Sequence, residues 1–286
     1  MSIFLVQVDQ NNIPITDVGF TLIQACNFQN WYFGESAHLV YLISENIEFL
    51  SCKELNLILE KTINNNPAIG QRNNTENKKI ISELIPVGSL GFVEKIIGKT
   101  IEPINVPESL LLPKFLNREY FKISKGRCSE EISTLINEKF PKEKELFVKS
   151  TEHCKGYIRD MIKKEKIAKI KELQNLGFII SEVVEITAEW RVFVLKNEIQ
   201  DIKSYYMESF VDVPNISFIQ EAISTLKASN SNLEAYTLDV AKLKNGKMAV
   251  MEVHNFISVG LYGFEDYKVL PKMIKTGYLS ENKGVS

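Results

Sequence analysis

Apolar and polar positions along this chain alternate between two periods. Ile3–Val8 and Leu39–Ile43 are short apolar runs of the kind that form buried strands, while Phe20–Trp31 and Leu55–Ile63 repeat apolar residues at helical spacing. Strand, helix, strand, helix is an α/β rhythm. The tract from Asn64 to Lys79 (NNNPAIGQRNNTENKK) interrupts it, and its Asn, Pro and Gly content predicts a solvated loop. An apolar segment follows, turns at Gly88–Ser89 and resumes toward Ile97. Pro103, Pro107 and Pro113 then disfavour regular structure from Glu102 to Pro113, so the first boundary is placed here.

Beyond residue 114 the pattern changes to helices mixed with antiparallel strands. Ser129–Phe140 reads as a helix with Ser129 as its cap, and Glu145–Lys149 as a short strand. Tyr157–Leu176 places Ile158, Met161, Ile162, Ile167, Ile170 and Leu173 among Lys, Arg and Glu, which predicts an amphipathic helix with a solvated basic face. Phe178–Val184, Trp190–Leu195 and Ile199–Tyr206 read as strands, Ser217–Ala228 as a helix, and Tyr236–Leu243 with Met248–Val253 as a strand pair. The organisation expected is an N-terminal α/β region over residues 1–102, then two α+β lobes over 103–180 and 181–286.

Composition narrows the function. With 286 residues, 44% of them hydrophobic and 24% charged, the chain has ample material for packed cores. The net charge of −2 gives no global basic field, so nucleic acid is an unlikely partner. Cysteines 26, 52, 128 and 154 form no C-x-x-C pair and read as reduced thiols. No segment approaches the roughly 18 consecutive apolar residues of a membrane helix, and the N-terminus lacks a basic leader, so a cytoplasmic protein without a membrane partner is expected.

The densest chemistry lies in YTLDVAKLKNGKMAVMEVHN. Asn245–Gly246 between two strand-like runs is the preferred pair for a two-residue type I′ turn. That turn pairs Lys244 with Lys247, Leu243 with Met248 and, further along, Asp239 with Glu252, with Cβ atoms about 4.5–5.5 Å apart. Two carboxylates so placed repel unless they spread into solvent, one is protonated, or a cation bridges them. A hard ion such as Mg²⁺ suits oxygen ligands and commonly takes one or two carboxylates plus substrate phosphates. Alternation sets His254 on the same face as Glu252, opposite Thr237.

A second motif, ISEVVEITAEWRVFV at 180–194, returns through Lys196–Asn197 to IQDIKSYY. Together with FVKS at 147–150 and LDV…MEVHN at 238–255, it resembles the ATP-grasp superfamily, whose members bind ATP between two α+β lobes. IPVGSLGFVEKI at 85–96, FLNREYFKI at 115–123 and the EWRVFV strand are similar to the clade that uses an arginine in place of one phosphate-binding lysine. The resemblance spans roughly residues 80 to 265.

That resemblance implies an ATP-grasp fold and an ATP-dependent ligase acting through an acyl-phosphate on a peptide or protein carboxylate, with an amine as second substrate. It implies that Lys149 reaches the α and β phosphates, Lys155 lies in the loop covering them, and Arg118 is the clade's arginine. The Glu182 carbonyl and the Val184 N–H would meet adenine, and Glu189 the ribose. Arg191 and Lys203 would hold phosphate or acyl-phosphate oxygens, with Lys149 and Arg191 acting in catalysis. Asp239 and Glu252 match the carboxylates for Mg²⁺, with two ions expected. Where the family usually has Asn, two residues after that Glu, this chain has His254, followed by Asn255. A bulge bringing Asn255 inward, a changed second ion, and weakened catalysis are the three explanations. A nucleotide-binding or interaction module without turnover, or a phosphotransferase, are the alternative activities.

Overall fold

A computed structural model describes residues 2–33, 37–43, 50–66, 69, 74–101, 106–151, 159–167, 169–170, 176–229 and 232–282. Its first sheet is parallel, in the order β2-β1-β3, from β1 (Ser2–Val8), β2 (Ala37–Ile43) and β3 (Leu84–Val87). Helix α1 (Asp17–Phe33) connects β1 to β2, and α2 (Cys52–Asn64) and α3 (Asn74–Glu83) lie between β2 and β3. Ile3–Val6 of β1 are continuously apolar because both faces are covered, and the buried Gln7 beyond them accepts from the Ser89 N–H. Phe4, Val6 and Val8 pack with Val18, Leu22 and Cys26, while Ile3 and Leu5 pack with Leu55, Leu59 and Ile63. Helix α4 (Leu90–Ile97) follows β3, capped by the Ser89 hydroxyl.

The second sheet is antiparallel, in the order β4-β7-β5-β6, from β4 (Tyr120–Ile123), β5 (Glu145–Ser150), β6 (Arg159–Lys163) and β7 (Phe178–Glu182). Helix α5 (Pro113–Leu116) precedes it. Helix α6 (Ser129–Lys139) covers it through Ile132 and Ile136, packed with Phe140, Leu146, Val148 and Ile180. The third sheet, in the order β11-β10-β8-β9, is built from β8 (Ile186–Leu195), β9 (Glu198–Met207), β10 (Ala235–Leu243) and β11 (Met248–Asn255). One face buries Trp190, Val192, Tyr236, Leu238 and Val250 against Ile219, Ala222, Ile223 and Leu226 of α8 (Ile216–Ala228). On the other face Phe193 stacks on Phe264 with centroids 4.4 Å apart, and packs with Phe4 and Val6 of the first sheet and with Met273 of α9 (Leu270–Asn282). Helix α9 comes close because position 277 is glycine; a Cβ there would lie 2.7 Å from the Phe256 carbonyl oxygen.

Four local expectations are corrected. Part of the polar tract is helical, since α3 begins at Asn74 within it. The predicted helix from Tyr157 to Leu176 gives way to β6, which pairs Lys163 with Glu145 through to Arg159 with Lys149, and then the short α7 (Lys164–Ile167); the remainder lies largely outside the described residues. Ladder pairing with β5 outweighs helix propensity here. The cap of α6 is Cys128 rather than Ser129.

The fourth correction concerns the Asn245–Gly246 turn. Leu243 N–H donates to Lys247 and Gly246 N–H to Leu243, so the loop has three residues and ends on left-handed Gly246 (φ 81°). The two-residue turn with both φ values positive occurs instead at Lys196–Asn197, φ 52° and 66°. Next to the turn the β10–β11 pairing is therefore one residue out of the predicted register, with Lys242 opposite Met248. A bulge then leaves Met251 unpaired, and Asp239 meets Glu252 after all.

Candidate active site

The bulge at Met251 decides which way the carboxylate points. Before it, Met248 and Val250 face the α8 core; after it, Val253 does. Without the extra residue Glu252 and His254 would face that core with Val250, because one residue of slip reverses every side chain. With it, Glu252 and His254 join Asp239 and Thr237 on the opposite face. Asp239 is 1% exposed and Glu252 6%, so two solvated acids on an exposed hairpin do not describe this pair.

Their charges are answered inside the protein. Arg191 stands opposite Asp239 in the β8–β10 ladder and is 7% exposed. Its Nε donates to Oδ1 at 2.8 Å and its Nη2 to Oδ2 at 2.7 Å, a fork that matches the carboxylate. Burial opposes the guanidinium charge, but hydrogen bonding and the charge of Asp239 outweigh it and hold Arg191 above its ordinary pKa. Nη1 donates to the Gly260 carbonyl at 3.0 Å. That carbonyl lies in the loop after β11, where Ser258, Tyr262 and Gly263 have left-handed φ of 54°, 47° and 85°. The Leu261 N–H anchors the loop on Asp17 at 2.7 Å. Tyr262 lies 4.9 Å from the Arg191 guanidinium and stacks on Tyr205 at 4.8 Å. Tyr205 is the extra residue of a bulge in β9, and burial, then the charge of Asp239, pushes its hydroxyl pKa up.

Lys149, on β5 of the second sheet, reaches across to the third and donates to Glu252 Oε2 at 2.6 Å. The other Glu252 oxygen lies 2.9 Å from Nε2 of His254. Ligand atoms of Asp239, Glu252 and His254 all fall within 4.8 Å of one another. Thr237, in register with His254, is fully buried, and its Oγ1 has no hydrogen-bond partner among the described residues. Two carboxylates, an imidazole and an unsatisfied hydroxyl are a donor set that fits a divalent cation.

Lys149 also lines a pocket of about 380 Å³, within the range of small-molecule sites. Its apolar walls are Val106, Leu111, Phe147, Ile179 and Ile186, and Arg118, Glu182 and Val184 line it as well. Arg118 sits 3.5 Å from the Val250 carbonyl and from the Met251 sulfur, and burial lowers its pKa. Strand β7 ends at Glu182, two residues short of the expected Val184, so 183–185 form the link to β8.

Other predicted residues are distributed differently. Arg191 pairs with Asp239 across the sheet, and the charge of Glu189, two residues before it on β8, acts on the Tyr205 hydroxyl. Lys203 is the ladder partner of Arg191 and lies 2.9 Å from Asp201. Asn255 turns away from the cluster, its amide donating to Glu281 Oε2 at 2.8 Å, and Lys99 meets the same carboxylate. Lys155 lies outside the described residues. Thr237, Tyr205 and Tyr262 were not singled out as site residues from sequence, since bulge positions and loop approach leave no local signature.

Residues 127–271, just over half the chain, match a family model described as an ATP-grasp domain, family 2 of its clade. No curated protein matches. Among solved structures, D-cycloserine synthetase superposes with a TM-score of 0.54 at 12% identity over 98% of this chain and 99% of that one. N5-carboxyaminoimidazole synthetase from Staphylococcus aureus complexed with ADP gives 0.51 at 9% identity over 88% and 69%. At these identities the likeness is one of fold. No helix among the described residues is long and apolar enough to cross a membrane.

Proposed function

As the chain belongs to the ATP-grasp family, within the clade whose second family model it matches, we propose that it is an ATP- and Mg²⁺-dependent ligase joining a peptide or protein carboxylate to an amine. The observation that carries this reading is the position of Lys149, which lines the apolar pocket and also bonds Glu252 in the carboxylate cluster. A nucleotide laid through that junction has its base among apolar walls and its phosphates beside cations. In this reading the Glu182 carbonyl and the Val184 N–H meet the adenine edge, Glu189 the ribose, and Lys149, Arg118 and Lys155 the phosphates. We assign the boundaries 1–102, 103–180 and 181–286 on the same basis.

The substrate carboxylate attacks the γ-phosphorus as the bond to the β-phosphate oxygen breaks, and ADP leaves. The amine nitrogen then attacks the acyl carbon, phosphate leaves, and the amine loses a proton. Arg191 and Lys203 orient the transferred phosphoryl oxygens, and Lys149 offsets charge on the leaving phosphate. Asp239, Glu252 and His254 would hold the metal, which when bound supplies further positive charge against the phosphates.

A nucleotide-binding module without turnover is the competing reading, and the observation in its favour is that Lys149 and Arg191 are already paired with protein carboxylates. Calorimetry with β,γ-methylene-ATP, with and without Mg²⁺, followed by ADP release with peptides and amines, separates the two. The ligase reading expects Mg²⁺-dependent binding, amine-dependent ADP release, and loss of release in Glu252→Ala. Binding without ADP release for any carboxylate and amine leaves the module. Absence of binding removes both readings.

A further inference from the structure

Resting on the reading that the carboxylate cluster holds a divalent cation, we propose that His254 makes it a mixed oxygen–nitrogen site whose preferred ion is Mn²⁺ rather than Mg²⁺. His254 Nε2 lies 2.9 Å from Glu252 Oε1, and one ligand atom from each of Asp239, Glu252 and His254 lies within 4.8 Å of the others. Lys149 occupies the opposite oxygen of Glu252, so Oε1 is the oxygen turned toward the imidazole. Thr237 Oγ1 is buried with no partner among the described residues, on the same β10 face as Asp239 and in register with His254. That hydroxyl is a further oxygen donor on the face that carries the cluster, able to reach the ion directly or through a water. The His254 side chain is 31% exposed, leaving one side open for water or phosphate oxygens.

The choice of ion follows from the donors and from the neighbouring charges. Mg²⁺ demands near-ideal oxygen coordination and gives up water reluctantly. Imidazole suits first-row transition metals, carboxylates suit both Mg²⁺ and Mn²⁺, and of these two Mn²⁺ is the ion that also accepts an imidazole nitrogen in an octahedral shell. Arg191 and Lys149 already lie against the two carboxylates and oppose a third positive charge. An ion held by electrostatic attraction to oxygen alone loses most from that opposition, and one that also bonds nitrogen retains more.

The test is an electron paramagnetic resonance titration of untagged protein with MnCl₂, alone and against Mg²⁺, in the presence of β,γ-methylene-ATP, whose bridge contains no nitrogen. The chain has three histidines, so protein made with ¹⁵N-histidine reports imidazole ligation directly. The expected result is a bound Mn²⁺ whose echo modulation changes with the histidine isotope, and a Mn²⁺-over-Mg²⁺ affinity ratio that falls about tenfold in His254→Asn. A bound ion with no histidine coupling, or a ratio unchanged in His254→Asn, overturns this inference and leaves the metal reading standing. If the analogue binds but neither ion does, the metal reading falls with it. If the analogue itself fails to bind, the nucleotide reading has failed first.

Discussion

The two antiparallel sheets contribute to the cluster in different ways. The C-terminal sheet holds Arg191, Asp239, Glu252 and His254 on one face, with Arg191 bound to Asp239 by adjacent ladder positions. The other antiparallel sheet contributes Lys149, through one bond across to Glu252. One ion pair belongs to the packing of a single sheet; the other spans two. A pair inside a sheet is fixed when the ladder forms, and a pair between sheets can open without disturbing either ladder. The Arg191–Asp239 pair is thereby a part of the fold that also faces the site, and Lys149–Glu252 is a contact that a nucleotide and a metal ion are able to take apart.

Removing one partner from each pair measures that difference. Asp239→Asn leaves the Arg191 charge buried without its counter-ion, and the expected loss is about 3–5 kcal/mol of folding stability. Lys149→Met takes one charged hydrogen bond from Glu252, which keeps His254, so about 1–3 kcal/mol is expected. Urea denaturation of both variants checks the order. Equal losses would make the cross-sheet contact as structural as the internal one. Nucleotide-analogue affinity should fall as well for Lys149→Met, by about tenfold or more, with the loss of a phosphate-facing ammonium.

Much of this was readable in the sequence, and the failures have physical causes. Asp239 and Glu252 were placed opposite each other from a turn that is one residue wrong, and the Met251 bulge cancels the error. Nothing in the residue types signals that bulge, because an extra residue in a strand costs no special side chain. Helix α3 was hidden because its buried face carries Asn77, 1% exposed and bonded to Asn64, where a hydrophobic pattern needs an apolar residue. The pairing of Arg191 with Asp239 required knowing that β8 lies beside β10, 48 residues away in sequence. The turn itself offers a test. Gly246 has φ 81° and open space where a Cβ would stand, so Gly246→Ala tests backbone conformation alone. A loss of about 1 kcal/mol in thermal denaturation is expected. No loss would mean that ladder pairing sets the register of this sheet without help from its turn.

The smallest expected effect is the one whose sign matters most. In the free protein Glu252 competes with nucleotide phosphate for the Lys149 ammonium. A ligand that needs a group engaged elsewhere binds with its affinity reduced by the fraction of molecules in which that group is available. Glu252→Gln keeps the shape of the side chain, removes its charge, and so loosens its hold on Lys149 while removing a negative neighbour of the phosphates. Without divalent metal, β,γ-methylene-ATP should then bind about threefold more tightly than to the wild type. With metal present the same substitution should weaken binding, because a cation ligand has been lost. A crossing of the two curves in calorimetry identifies Lys149–Glu252 as a contact exchanged on loading. If Glu252→Gln weakens binding in both conditions, Glu252 positions Lys149 for the phosphates instead of withholding it, and the cross-sheet pair is then as much a fixture as the pair inside the C-terminal sheet.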